Sequence, residues 1–107
     1  MTVTVTLCTT CGAADPVPAL AAQLAATGLA VTVRGHPCLN LSARPTALAL
    51  QAPGRASYLF HGTDPAADWA DIAATIRLYL AAPDGWIGDA TGCGRLRTCL
   101  AGRIPPP

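Results

Sequence analysis

At the start of the chain Val3, Val5 and Leu7 alternate with Thr2, Thr4 and Thr6. A period-two run of β-branched residues marks a strand with one face in a core. The pattern breaks at Cys8-Thr9-Thr10-Cys11-Gly12. Asp15 then caps a helix whose first turn holds Pro16 and Pro18 and whose buried stripe is Val17, Leu20, Ala21 and Leu24. Gly28 supplies the residue that ends it. Alternation returns over Leu29–Val33, which predicts a second strand, and a loop opens on His36-Pro37-Cys38.

Two short strands follow, Ala47–Gln51 and Ser57–Phe60, joined by Ala52-Pro53-Gly54-Arg55, where proline followed by glycine signals a tight turn. Asp64-Pro65 is a capped helix start, and Trp69, Ile72, Ala73, Ile76, Tyr79 and Leu80 recur at helical spacing on one face. That helix ends before Pro83-Asp84-Gly85. Beyond it the reading is a glycine-rich loop over Ile87–Gly94, a short helix over Arg95–Gly102 and a stiff tail at Pro105–Pro107. The order β-α-β-β-β-α is that of a thioredoxin-like α/β domain reduced to its core. It implies a mixed four-stranded sheet with the first two strands parallel and helices packed on the sheet.

Length and composition narrow the class. A chain of 107 residues is expected to form a single domain over 1–107. Hydrophobic residues make up 51% and charged ones 12%, which excludes a disordered tail, and no long apolar run suggests a membrane span. Every base is arginine and every acid aspartate, with a net charge of +1. The arginines are scattered and form no stripe of phosphate contacts, so nucleic acid is not an expected partner. The first residues lack a basic and apolar leader, which points to the cytoplasm.

In a reducing compartment, five cysteines favour metal binding or redox chemistry over a disulfide framework. Cys8 and Cys11, three positions apart on a turn, can present two sulfurs to one ion. Cys38 follows the second parallel strand, and in the expected fold it comes from the same end of the sheet, where open α/β sheets place their ligands. His36 could add a nitrogen for zinc, cobalt or iron, although a loop histidine facing solvent is its plainer role. A C-x-x-C turn ahead of a helix also suits a thiol–disulfide couple, because the helix N-terminus favours the thiolate. Cys93 and Cys99 read as thiols without a role, His61 as a strand-end residue, Trp69 and Trp86 as packing residues, and Arg95, Arg97 and Arg103 as a solvated face. No Ser-His-acid arrangement, paired carboxylates or phosphate loop emerges, so a carrier is expected rather than an enzyme.

Across nearly its full length the sequence resembles a bacterial family of predicted metal-binding, thioredoxin-like proteins, the domain of unknown function 1636. The resemblance is carried by Cys8-Thr9-Thr10-Cys11, Cys38-Leu39, Gln51 with Pro53-Gly54, Tyr58 and Phe60, Tyr79 with Pro83 and Gly85, Leu96-Arg97, and Arg103-Ile104-Pro105-Pro106. More widely it is similar to thioredoxin-like 2Fe-2S ferredoxins. It implies a 2Fe-2S cluster, or a single zinc or cobalt ion, on Cys8, Cys11 and Cys38, in electron transfer or metal delivery to a redox or metal-handling partner protein. A link to cobalamin and cobalt metabolism is also implied. The family pattern has further cysteines four and eight residues after Cys38, where this chain has Ser42 and Thr46. Ser42 would be a harder, more labile iron ligand than cysteine. A homodimer sharing one site would supply the missing sulfur, and a member that has lost its cluster would survive as a protein-binding module.

Overall fold

The computed structural model describes residues 2–9, 15–37, 39 and 46–107. They form a mixed α/β structure with a five-stranded sheet and three helices. The strands are β1 (Val3–Cys8), β2 (Val31–His36), β3 (Leu48–Gln51), β4 (Ser57–Phe60) and β5 (Leu100–Ile104), and the sheet order is β2-β1-β3-β4-β5. Helix α1 (Val17–Ala25) connects β1 to β2, α2 (Pro65–Ala81) follows β4, and a 3-10 segment (Thr91–Thr98) precedes β5. Among the described residues no helix is long and apolar enough to cross a membrane.

Two expectations are corrected. The sheet has five strands rather than four, because Leu100–Ile104 pairs antiparallel with β4 instead of forming a helix. Local propensity misleads there, since Phe60 lies opposite Leu100 and Leu59 opposite Gly102, leaving Ala101 as an extra residue in a bulge that breaks the period-two pattern. The second strand also runs on to His36. Arg34, Gly35 and His36 pair with Thr6, Leu7 and Cys8, so long-range pairing extends a strand whose own sequence stops it at Val33.

The core lies on one face. Val3, Val5 and Leu7 of β1, Leu48 and Leu50 of β3, and Tyr58 and Phe60 of β4 are buried against Leu20 and Leu24 of α1 and Ile72, Ala73, Ile76 and Tyr79 of α2. Each Val, Leu, Ile or Phe among them contributes roughly 1.5–3 kcal/mol by leaving water. The polar tips of the two tyrosines are satisfied inside. Tyr79 donates to the Ala56 carbonyl at 2.5 Å, and Tyr58 accepts the Ile87 N–H at 2.7 Å. Burial raises the Tyr79 pKa, which keeps this phenol a donor. Arg55 closes the other end of α2 by donating to the carbonyls of Tyr79 and Ala82.

The 3-10 segment is held to α2 by charge. Arg95 grips the buried Asp68 carboxylate through two nitrogens and also donates to the Gly62 carbonyl, while its backbone N–H reaches Asp71. Gly94, at φ +60, lets the chain pass Asp71 at a distance that leaves no room for a Cβ. Arg95 is therefore a tether rather than part of a solvated face. Arg103 is likewise engaged, stacked at 3.8 Å on Trp86 and donating to Ile87 O. Trp86 is 36% exposed, so it packs at the surface and not in the core.

The Arg95 hydrogen bonds hold the Asp68 carboxyl below the usual carboxylate range. A depressed carboxylate stabilises the fold above its unfolded pKa, about 3.9, and that contribution is lost as pH falls through the lower folded value. Asp68→Asn should cost about 1.5–3 kcal/mol at neutral pH. The gap between the variant and the parent should close below about pH 4 in thermal melts.

Candidate functional site

β1, β2 and β4 run in one direction and β3 and β5 in the other. The carboxyl ends of β1, β2 and β4 therefore share one end of the sheet with the start of β3. Six parallel pairs, from Val3↔Val31 to Cys8↔His36, make the first two strands stop together. By alternation Thr4, Thr6 and Cys8 occupy the face opposite the core, and Cys8 is absent from the core cluster although it is only 1% exposed. His36, as its register partner, shares that face. His61 follows β4 at the same end, two strands away, and its N–H donates to Cys99 O.

Cys8 is held on three sides. Its N–H donates to Ala47 O at 3.1 Å, the Ala47 N–H donates back to the Cys8 sulfur at 3.1 Å, and the next residue, Thr9, donates to His36 O. Cys8 is disulfide-bonded. An N–H aimed at sulfur favours thiolate character whenever that bond is reduced. Thr46 precedes Ala47 and is locked to Thr63 by reciprocal backbone hydrogen bonds at 3.1 Å. It therefore sits one residue from the group that touches the sulfur.

Of the residues expected to form the site, Cys8 and His36 are brought side by side. Cys11, Cys38 and Ser42 lie outside the described residues, Cys11 three positions after Cys8 and Cys38 two after His36. Among the described residues no three His, Cys, Asp or Glu side chains gather closely enough to hold a metal ion. Cys93 and Cys99 are free but buried, at 3% and 0% exposure, and pack into the core rather than standing open.

One contributor was missed by sequence reasoning. A Cβ at Gly35 would fall 2.4 Å from the Thr9 side-chain methyl and 3.5 Å from Val17. Gly35 thus lets the turn after Cys8 lie against β2 and against the first residue of α1. No local signal marked it, since the alternation stops at Val33 and only pairing with β1 puts Gly35 inside a strand, where a glycine marks close backbone approach.

A two-layer α/β protein with a buried cysteine at the common end of its parallel strands is the class this fold and site define. The chain belongs to the family described as a protein of unknown function, DUF1636, whose model matches residues 5–106. Comparison with curated proteins and with solved structures finds no match.

Gly35→Ala should destabilise the protein by about 1–3 kcal/mol, the usual result of forcing a methyl into an occupied space. It should also raise the rate at which Cys8 is alkylated after reduction. Gly88→Ala, which meets nothing within 4 Å, is the matched control in denaturant titrations and mass-spectrometric alkylation.

Proposed function

We propose that the chain is a small thioredoxin-like carrier whose reduced cysteine site, Cys8 with Cys11 and Cys38, binds a 2Fe-2S cluster or a single zinc or cobalt ion. It would serve electron transfer or metal delivery to a partner protein. The observation that carries this reading is the Cys8 sulfur, buried, receiving the Ala47 N–H, and paired in register with His36 where both parallel strands end. N–H···S hydrogen bonds and low exposure are the features by which a protein tunes a thiolate-bound centre. The donor set fits such a centre only in the reduced state, since a disulfide sulfur offers no thiolate. Three sulfurs need a fourth donor, and the candidates are His36 from β2 and the Ser42 hydroxyl. The parallel β1–β2 pair, with β3 and β4 added antiparallel beyond β1, supports the thioredoxin-like assignment. The bound group would supply reversible one-electron chemistry if a cluster, or an exchangeable cation if a single ion. This chain supplies the ligands, their burial and the N–H that favours the thiolate.

The disulfide at Cys8 favours a second reading, a thiol–disulfide redox protein. Reduction takes two electrons and two protons and leaves two thiols, and reoxidation by a partner disulfide returns them. The two readings separate on Cys38, which a dithiol exchange does not need and a metal site does.

Protein isolated without oxygen and without a metal-affinity tag should show visible absorption with iron and sulfide in equal amounts, or stoichiometric zinc or cobalt without sulfide. Cys8→Ser and Cys38→Ser should each abolish retention of that metal. A reduced protein that stays metal-free after reconstitution overturns the carrier reading. The dithiol reading then stands only if Cys38→Ser retains disulfide-reductase activity and Cys8→Ser loses it.

A further inference from the structure

The sheet face opposite the helices carries a feature that the cysteine chemistry does not use. Two adjoining recesses lie on it, of about 270 and 380 Å³. The first is lined by Thr6, His36, Leu39, Ala49, Leu59 and Ile104. The second is lined by Thr4, Ala52, Pro53, Gly54, Arg55 and Pro107. Arg34, Gln51 and Ser57 belong to both and join them into one groove across β2, β1, β3 and β4.

The charge on this face is one-sided. All six aspartates, Asp15, Asp64, Asp68, Asp71, Asp84 and Asp89, lie outside the strands, and none lines either recess. Arg55 spends its guanidinium on the carbonyls at the end of α2. Arg34 has no such engagement. Among the described residues its one hydrogen-bond partner is the neutral Thr6 hydroxyl at 3.2 Å, and the one ion pair is that of Arg95 with Asp68. A guanidinium laid on a polar floor, and in no ion pair with an aspartate or with Pro107 at the end of the chain, is a donor site for an anion. Apolar side chains flank it on both sides, with Leu39, Leu59 and the 59% exposed Ile104 towards one end and Pro53 and Pro107 towards the other.

We propose that this groove docks an extended acidic segment of a partner protein, with a carboxylate on Arg34 and apolar neighbours in the two recesses. Charge complementarity selects the occupant. The joined recesses, which cross four strands and reach His36, select an extended chain over a compact small molecule. Arg34, which anchors the segment, is none of the residues offered as ligands beside Cys8, and His36, which is, stands only at the end of the groove.

The test is an amide NMR titration with an acetylated, amidated Leu-Asp-Leu peptide and its Leu-Asn-Leu isostere. Saturable shifts are expected at Thr6, Gln51 and Ser57 with the aspartate peptide. Replacing Asp by Asn in the peptide, or Arg34 by Gln in the protein, should weaken binding about tenfold, the loss expected for one charge-assisted hydrogen bond. Arg77→Gln, which removes an exposed charge from α2, should leave the affinity unchanged. Arg34→Gln should fold normally, having lost only a surface hydrogen bond. Equal weakening by Arg34→Gln and Arg77→Gln, shifts confined to Arg95 and Arg97, no saturable shifts, or equally tight binding of succinate would each overturn the proposal.

Discussion

The parallel pairing of β1 with β2 is the constraint on which the rest of the molecule depends. Parallel neighbours cannot be joined by a tight turn, so the chain must cross over, and α1 is that crossover. Its presence commits one face of the sheet to helix packing, which Leu20 and Leu24 complete against Val3, Val5 and Leu7. The same pairing makes Cys8 and His36 register partners. A slip of one residue would exchange the faces of β2 and carry the histidine to the core side. Gly35 protects the register from the inside, because the turn after Cys8 lies where a side chain at that position would be.

From that commitment follows the division of the molecule into a helix-covered side that holds the aspartates and an open sheet face that holds none. Both helices and the 3-10 segment cover the β1–β3–β4 core, and the aspartates go with them, as the cap of α2 at Asp64, as the partner of Arg95 at Asp68 and as the clasp on the 3-10 segment at Asp71. The strands carry no acid on either face. The opposite face carries threonine, alanine, glutamine and serine around Arg34, with Leu39, Leu59 and Ile104 beside them, and leaves the Arg34 guanidinium with a neutral partner. On β5, the outermost strand next to this face, the bulge at Ala101 and the prolines that follow Ile104 blunt the edge against pairing with other chains.

Much of this fold was legible in the sequence where pattern and tertiary need agree. Alternation located β1 and the start of β2, the Pro53-Gly54 turn located β3 and β4, and the helical stripe from Ile72 to Tyr79 located α2, because each element buries one face against a single core. The reading failed where long-range pairing decides. The last three residues of β2 are arginine, glycine and histidine, which only β1 makes into strand, and β5 is disguised by its bulge. At the site, residue chemistry singled out Cys8 and His36, and topology brought them together. The contribution of Ala47 was not legible, since it acts through a backbone N–H that any residue possesses. Arg95 and Arg103 read as solvated because a partner such as Asp68 or Trp86 is many residues distant in sequence.

The two functions proposed for Cys8 begin from the same event. A disulfide offers neither a ligand nor a reductant until two electrons and two protons have opened it. The Cys8 thiol then lies between opposed influences: burial at 1% exposure disfavours the thiolate, and the Ala47 N–H favours it. A sulfur so enclosed is poorly placed for direct attack by an external thiol, which requires access along the S–S axis, whereas as the proposed metal ligand it would be screened from water. On that balance the enclosure of Cys8 suits a held centre better than rapid exchange. The number of further sulfurs that join it decides whether the centre is a cluster, a single ion or a dithiol alone.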